Sequence, residues 1–240
     1  MGVWGNCMLR ASSLRVRYNV SDQDLALDGI SFDLAPGERV AVLGANGAGK
    51  STLLLTAVGL LWPQAGAFFF EGQALTKKNM PQIRQKLGLL WQNPDDQLFL
   101  PTVYEDIAFG LRNYGLREEE IVRRIDDVLE QLDISHLRDR LSHNLSGGEK
   151  RLAALAGILV MEPAILLLDE PSSFLDPRSR RRLIEILANL SQAILIASHD
   201  LDLVLKLCPR TLLLKQGRLM ADGLTRELLG DEGLLEECGL

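Results

Sequence analysis

The sequence lacks the features of a membrane-spanning or secreted chain. No stretch among its 240 residues reaches the roughly 18 consecutive apolar residues that a spanning helix needs. The N-terminus has no basic region followed by a continuous apolar segment. Cys7, Cys208 and Cys238 are scattered and odd in number, so we expect reduced thiols rather than disulfides or zinc ligands. A cytosolic chain is therefore expected.

Basic residues are not in excess either. Lys and Arg number 26 against 32 Asp and Glu, which gives a net charge of −6 and no general attraction to nucleic acid or to an anionic membrane surface. His136 and His143 do not have the spacing of metal ligands. The 47% share of hydrophobic residues and the length predict one folded domain with subdomains.

Residues 44–51 match the phosphate-binding pattern G-x-x-x-x-G-K-[ST] at every required position. The strand-like run 39–43 precedes them and the helix-like run 52–58 follows, as the motif requires. A glycine-rich turn that merely joins a strand to a helix would not explain Lys50 and Ser51, which suit phosphate and Mg²⁺. The predicted nucleotide contacts here are Gly44, Ala45, Asn46, Gly47, Ala48, Gly49, Lys50, Ser51 and Thr52.

A second apolar strand, residues 165–168, ends in Asp169 and Glu170. Two carboxylates at the end of a buried strand are costly unless a cation lies nearby. A strand that simply exits to solvent would account for one acidic residue but poorly for two. We therefore expect Asp169 to face Mg²⁺, as such strands do beside a phosphate loop.

Two further polar residues follow predicted strands. Gln92 comes after residues 87–91, and His199 comes just after residues 193–197. The carboxyl ends of parallel strands share one edge of a sheet, so both side chains are expected near Asp169. The alternatives are a solvated loop amide for Gln92 and a structural histidine for His199.

The flanking segments complete the predicted fold. Strand-like segments between residues 8 and 32, joined by a polar turn at 19–24, predict an antiparallel edge. Tyr18 either stacks on an adenine or simply fills a strand position. Residues 93–160 look mainly helical, inserted between two strands of the sheet.

The C-terminal half contains a basic cluster. Residues 177–190 predict a helix, and its arginines at 178–182 are expected to form a solvated face rather than a phosphate-binding one.

Residues 211–240 predict a short strand pair about Gln216 and Gly217, followed by a small helical tail.

Leu145, Ser146, Gly147, Gly148 and Glu149 precede a helix-like run, and this pentapeptide resembles the signature of ATP-binding-cassette (ABC) ATPases. The resemblance spans nearly the whole chain and keeps the family's motif order. It implies an α/β fold: a P-loop NTPase RecA-like core with an antiparallel β subdomain and an inserted α-helical subdomain. Residues 1–240 would form a single ABC ATPase domain, with the helical subdomain at about 93–160.

The same resemblance implies roles and cofactors. Glu170 and His199 would be catalytic, ATP and Mg²⁺ would be the cofactors, and Ser51, Gln92 and Asp169 would hold the metal. The further residues that it places against ATP are Tyr18, Gln92, Ser146, Gly147, Gly148, Glu149 and Asp176. In a head-to-tail dimer the signature of one subunit would complete the site of the other, and a Ser-Gly-Gly segment at a helix start suits that task because it offers N–H groups to phosphate.

Residues 92–110 look like the ATPase subunit of energy-coupling-factor importers, the group that takes up cobalt, nickel and vitamins. This likeness implies a second copy or a paralogous ATPase subunit, a transmembrane coupling subunit and a substrate-binding membrane subunit as partners, with no nucleic acid. The chain would lie at the cytoplasmic face of the membrane, as a peripheral protein. Leu98 and Phe99 would either contact a partner or tuck beneath the helix that starts near Val103.

Two departures from the pattern of these subunits occur. The chain ends soon after the final strands, and Phe174 stands where a small residue is more usual. A soluble ABC protein acting on nucleic acid or chromosomes is the rival hypothesis. It would need a coiled-coil insertion, a second cassette or a basic face, none of which the sequence indicates. A nucleotide-binding module without turnover is disfavoured because Glu170 and His199 are both present.

Overall fold

The computed structural model describes residues 7–18 and 24–240. The polar turn predicted at residues 19–24 therefore falls outside the described residues except at its last position. The strands are β1 (Leu9–Val16), β2 (Leu27–Leu34), β3 (Arg39–Leu43), β4 (Ala65–Phe70), β5 (Gln73–Ala74), β6 (Leu87–Leu90), β7 (Ile165–Asp169), β8 (Ala193–Ala197), β9 (Arg210–Lys215) and β10 (Arg218–Leu224). The helices are α1 (Lys50–Ala57), α2 (Met80–Ile83), α3 (Val103–Asn113), α4 (Glu118–Gln131), α5 (Gly147–Leu159), α6 (Pro177–Asn189), α7 (Leu201–Leu207), α8 (Thr225–Leu228) and α9 (Glu232–Cys238).

The chain divides into two compact units. The first contains the described residues up to Leu89 together with Ala164–Glu170 and Ser191–Leu240. The second contains Leu90–Pro163 and Pro171–Leu190. The first unit contains both sheets together with α1, α2, α7, α8 and α9, and the second is mainly helical.

A four-stranded antiparallel sheet lies in the first unit, in the order β2-β1-β4-β5. Leu9 of β1 pairs with Leu34 on one side and with Phe70 on the other. Leu9, Ala11, Leu14 and Val16 of β1 are buried, so burial alternates on either side of Ser13, as expected for a strand with one face on a core. The register shifts near Ser13, whose φ of 46° is rare for a residue with a side chain.

A six-stranded sheet in the order β10-β9-β3-β8-β7-β6 carries the motifs of the first unit. Strand β3 runs parallel to β8 and β9, and β7 runs parallel to β8. Every residue of β7 and of β8 is buried, which explains their continuous apolar sequences. Since parallel strands end at one edge, the residues that follow β3, β7 and β8 come together there.

One apolar cluster joins the two sheets of the first unit to α1. It includes Leu14, Leu53, Leu167 and Leu195, all at 0% exposure. Burial of each such side chain contributes about 1.5–3 kcal/mol relative to exposure. The thiols are free, and burial raises the pKa of Cys208 to about 12.

The second unit is a helical assembly. Helix α4 buries Ile121, Ile125, Val128 and Leu129 on one stripe, the pattern of an amphipathic helix. Helix α3 begins with a capping box in which the Thr102 side chain accepts from the backbone of Glu105. Within residues 7–18 and 24–240, no helix is long and apolar enough to cross a membrane.

The basic cluster on α6 differs in part from the prediction. Arg178 and Arg181 are exposed, as expected. Arg182, however, donates hydrogen bonds to the carbonyl oxygens of Leu132 and Asp133, at 2.7 Å each. The last carbonyls of a helix lack intrahelical partners, and Arg182 satisfies those at the end of α4.

Candidate nucleotide site

The phosphate loop uses glycine for two different reasons. Gly44, Gly47 and Gly49 all have positive φ, at 156°, 81° and 104°. A Cβ on Gly49 would lie 2.7 Å from the carbonyl oxygen of Ala26, and one on Gly44 would lie 2.9 Å from the Cβ of Ala48. A Cβ on Gly47 would meet nothing within 4 Å. Packing therefore requires glycine at 44 and 49. At Gly47 the missing side chain instead leaves space above the loop that a ligand can occupy.

Helix α1 starts directly after this loop, at Lys50, with Gly49 as its N-cap. The first N–H groups of a helix have no intrahelical acceptor, and they form its positive end. Loop and helix together thus offer backbone donors to an anion.

Lys50 is 7% exposed and lies along the loop. Its Nζ donates to the carbonyl oxygens of Gly44 at 2.7 Å and Ala45 at 3.2 Å, and lies 3.9 Å from Oε1 of Glu170. An ammonium group has three donors, and these two carbonyls engage two of them. The charge is therefore held over the loop, close to a carboxylate.

Glu170 is 6% exposed and has a φ of 44°, a left-handed backbone that is uncommon for a residue with a side chain. Its N–H donates to the carbonyl oxygen of Ala197 at 2.8 Å. Its Oε2 lies 2.8 Å from Nδ1 of His199 and 3.3 Å from the hydroxyl of Ser198. Since Nδ1 faces a carboxylate oxygen, Nε2 is the ring nitrogen left to face another group.

Asp169, the last residue of β7, pairs in register with Ala197 and is 8% exposed. Among the residues that the structure describes, no group of three or more His, Cys, Asp or Glu side chains is placed to hold a metal. A cation at this edge would instead use one carboxylate, the Ser51 hydroxyl and oxygens of the nucleotide. Such an all-oxygen donor set fits Mg²⁺, which keeps few protein ligands and binds with substrate phosphates.

Tyr18 lies beyond the end of β1 and is 56% exposed, so it does not fill a strand position. Its hydroxyl is 2.8 Å from Oγ1 of Thr52 on α1. A cleft of about 850 Å³ lies in the same unit and is lined by residues that include Arg17, Asp28 and Gly47. An aromatic ring anchored on α1 is thus available to a ligand near the loop.

Gln92 belongs to the second unit, where it follows β6 and is exposed. Its carbonyl oxygen accepts a hydrogen bond of 2.6 Å from Arg151 on α5. That the Gln92 side chain lies near Asp169 and His199 stays a prediction.

Ser146 is the N-cap of α5 and is exposed, as is Gly147. Its hydroxyl and its N–H both donate to Oε2 of Glu149 at 2.7 Å, which completes a capping box. The hydrogen bond from the Ser146 hydroxyl lowers the pKa of Glu149. The signature therefore presents a helix N-terminus to solvent.

Gly148 packs against α6. A Cβ at this position would lie 2.9 Å from the Cβ of Ser179 and closer still to its hydroxyl. That hydroxyl is held by Asp176, whose carboxylate caps α6 by accepting from the N–H groups of Arg178 and Ser179. The hydrogen bond from the Ser179 hydroxyl lowers the pKa of Asp176.

Phe99 and Phe109 form an exposed aromatic pair in the second unit. They are 64% and 45% exposed, and their rings meet edge to face with centroids 5.2 Å apart. The alternative in which Phe99 tucks beneath α3 as core is therefore wrong: its ring rests on an exposed residue of that helix. Asp106 holds the backbone in place, because its Oδ1 accepts from the N–H groups of Phe99 and Leu100 at 3.0 Å each.

Sequence reasoning missed three residues at these sites. Ser198 precedes His199 at the end of β8, so the sheet-edge argument could have found it. Arg151 and Ser179 carried no such signal, because their roles depend on helix packing within the second unit.

A phosphate loop between β3 and α1, beside strands that deliver Glu170 and His199 to the same sheet edge, defines the class: this is a P-loop nucleotide triphosphatase. Residues 27–173 match the ABC transporter family, which adds the signature segment at the start of α5. The chain belongs to the ABC transporter family, as an ATP-binding subunit with the ATPase fold and activity of that family.

Relatives of known name agree with this assignment. The chain is 48% identical over 215 residues to a protein of Geobacter sulfurreducens named only provisionally as an ABC transporter ATP-binding protein, covering 90% of this chain and 86% of that protein. It is 44% identical to the energy-coupling factor transporter ATP-binding protein EcfA of Methanothermobacter thermautotrophicus, covering 93% and 73%. Among solved structures, CbiO1 of Clostridium perfringens, described as part of the ABC transporter complex CbiONQ, matches with 37% identity and a TM-score of 0.85, covering 97% and 94%.

The predicted fold class and family are thereby confirmed. The antiparallel sheet and the parallel sheet with its phosphate loop occur where the sequence predicts them.

Proposed function

We propose that this chain is the ATPase subunit of an energy-coupling-factor-type importer, which energises uptake of a metal ion or a vitamin through separate membrane subunits. The observation that carries the proposal is the exposed Phe99–Phe109 pair, within the segment 92–110 that resembles those subunits. Exposed aromatic residues of this kind mark contact surfaces. The likeness to EcfA and CbiO1 supports the same assignment.

Glu170 is the proposed general base for the attacking water. A carboxylate that is buried, and fixed through Oε2 by His199 and Ser198, keeps Oε1 directed toward Lys50 and the phosphate loop. His199 would hold the γ-phosphate and the water in line. Lys50 would neutralise the charge that develops on the phosphoryl group.

Mg²⁺ is the proposed metal, held by Ser51, Gln92 and Asp169. When bound with ATP, it would neutralise charge on the β- and γ-phosphates. Tyr18 would stack on the adenine, since its ring is exposed and its hydroxyl is anchored on α1.

The signature residues Ser146, Gly147 and Gly148 would complete the site of a second subunit. They expose a helix N-terminus but offer no base and no metal ligand. The partner would be another copy or a paralogous ATPase subunit, in a head-to-tail dimer. The complex would act at the cytoplasmic face of the membrane, with residues 1–240 as one domain whose helical subdomain spans about 93–160.

Purification from membranes tests this proposal. The tagged chain is co-expressed with its membrane subunits, extracted in detergent, and analysed for co-purifying polypeptides and bound solute. We expect membrane proteins to co-purify and the reconstituted complex to show ATP-dependent uptake. Purification of the chain alone, or with nucleic acid, would contradict the importer assignment.

Phe99→Ala is the variant that tests the contact surface. It should leave thermal unfolding and basal ATPase near wild type but weaken co-purification and uptake. Leu224→Ala, which removes a 57%-exposed apolar side chain from the first unit, is the matched control. It should weaken neither co-purification nor uptake. Normal uptake per complex combined with a markedly lower unfolding temperature would make Phe99 a structural residue instead.

A further inference from the structure

Helix α9 packs on β9 in the first unit, and its C-terminal end lies beside the phosphate loop. A Cβ built on Gly239 would lie 3.2 Å from the Cβ of Ala45, the second residue of that loop. Two carbon atoms in van der Waals contact approach only to about 3.5–4.0 Å. The end of α9 therefore lies against the Ala45 methyl group, with no room there for a side chain.

The helix is held in this place at both of its ends. Asp231 caps the first turn by accepting from the N–H of Leu234 at 3.0 Å. Cys238, in the last turn, is 2% exposed and packs as a small apolar side chain. The chain then turns at Gly239, which has a φ of 73° and donates its N–H to the carbonyl oxygen of Glu236 at 3.1 Å. This left-handed turn is typical of a helix C-terminus, and it fixes the direction of the backbone beside the loop.

The start of the phosphate loop is enclosed by β9 and the end of α9. A Cβ on Gly44 would collide with the carbonyl oxygen of Leu214 on β9, so the loop backbone is already in contact with that strand. The carbonyl oxygen of Ala45 accepts from Nζ of Lys50 at 3.2 Å. Because close-packed neighbours leave the loop little freedom to absorb a push on Ala45, such a push displaces this carbonyl oxygen. The contact with α9 thus reaches the Lys50 ammonium group through one residue.

We propose that α9 positions the phosphate loop for ATP and that Gly239 is the positioning residue at its end. The helix would hold Ala45, and through the carbonyl oxygen of Ala45 it would set the place of the Lys50 charge. Gly239 would act only through Ala45, without touching the nucleotide. The inference rests on the proposed contact of the phosphate loop with ATP.

Gly239→Ala tests the contact, because its Cβ would press on Ala45 and the loop would have to move by a few tenths of an ångström. We expect the Kd for the fluorescent analogue mant-ATP and the KM for ATP hydrolysis by the full-length chain to rise together. A rise of roughly threefold or more is expected, since a misplacement of about 1 Å at a positioned group can cost on the order of 100-fold. Ala45→Gly introduced into the same chain removes the methyl group and should recover most of the loss, corrected for the effect of Ala45→Gly alone.

Gly115→Ala and Gly233→Ala are the matched controls. Gly115 follows α3 with the same φ of 73°, but a Cβ there would meet nothing within 4 Å, so this variant adds the same backbone strain without a contact. Gly233 lies in α9 itself, and the nearest atom to its Cβ would be an oxygen of Asp231 at 3.6 Å, an ordinary van der Waals distance. Both variants should keep the wild-type Kd and KM, whatever their unfolding temperatures.

Three results would overturn the inference: a wild-type Kd and KM in Gly239→Ala, an equal rise in Gly115→Ala, or no recovery in the double variant. Lys50→Ala tests the contact on which the inference rests. If this variant bound mant-ATP as tightly as wild type, the loop would not hold the nucleotide and α9 could not act through it. None of these results bears on the importer assignment, which fails separately, by the absence of co-purifying membrane subunits.

Discussion

Glu170 shows how the chemistry depends on one residue's surroundings. Its carboxylate is buried, its backbone is held in a left-handed conformation, and its Oε2 accepts from His199 and Ser198. Strained backbone positions persist only where the surrounding structure fixes them, and they cluster at functional sites. The proposed base is thus held in place by the two residues that follow β8.

Glu170→Gln should keep ATP binding and lose turnover. The amide oxygen can still accept from His199 and Ser198, so the fold should not change, but an amide cannot accept a proton from water. We expect steady-state hydrolysis to fall by about 100-fold or more. Glu185→Gln, on the exposed face of α6, serves as the carboxamide control. Near-normal hydrolysis in Glu170→Gln would remove this residue from its role.

Gly148→Ala should destabilise the isolated chain because of Ser179. Overpacking at such a contact costs about 1–3 kcal/mol. Ser179→Gly introduced into the same chain should recover most of the lost unfolding temperature, corrected for the effect of Ser179→Gly alone. Gly147→Ala is the control, since its Cβ would lie 3.9 Å from the nearest atom, the carbonyl oxygen of Phe174. If the double variant is no more stable than Gly148→Ala, the contact with Ser179 is not the reason for glycine here.

At the scale of elements, short segments are held by side chains from the helices they pack on. Asp106 on α3 accepts from the N–H groups of Phe99 and Leu100 and from the hydroxyl of Ser142. Burial nevertheless raises the pKa of Asp106 above its ordinary value of 3.8, because desolvation outweighs these hydrogen bonds. The folded state therefore disfavours the charged form of this carboxylate.

This shift gives a stability prediction with a definite sign. At pH values above the raised pKa the ionised Asp106 costs stability, and the cost is relieved as the pH falls through that pKa toward 3.8. Asp106→Asn, which is neutral and still accepts from both N–H groups, should raise the unfolding temperature at pH 7 relative to wild type. The difference should shrink toward pH 4 in scanning calorimetry. A gap that widens on acidification would contradict the assigned cause.

The whole molecule separates what sequence could predict from what it could not. The phosphate loop, Asp169, Glu170 and His199 were predictable because each follows a short apolar strand, and parallel strands end at one edge. Three features could not be predicted: the exposure of Phe99, the burial of Arg151 and the contact of Gly148 with Ser179. They depend on how helices separated by tens of residues pack together, and no local sequence pattern indicates that packing.

Gly147 is a better position than Gly148 for a variant that tests the shared site. An acidic side chain at Gly148 would collide with Ser179 in its own subunit, whereas the position of a Cβ on Gly147 is open. Gly147→Asp should therefore leave its own fold intact and still place a negative charge where the signature would approach a partner's phosphate.

Complementation between two inactive variants tests most directly the central claim, that two chains share each ATP site. Gly147→Asp and Lys50→Ala should each be nearly inactive alone. Mixed one to one, they should recover up to about a quarter of wild-type ATPase activity, because half of the dimers are then mixed and each has one intact site of two. Recovery of that order is the predicted result. A mixture no more active than its parents, with mixed dimers proven by co-purification of two different tags, would contradict the account.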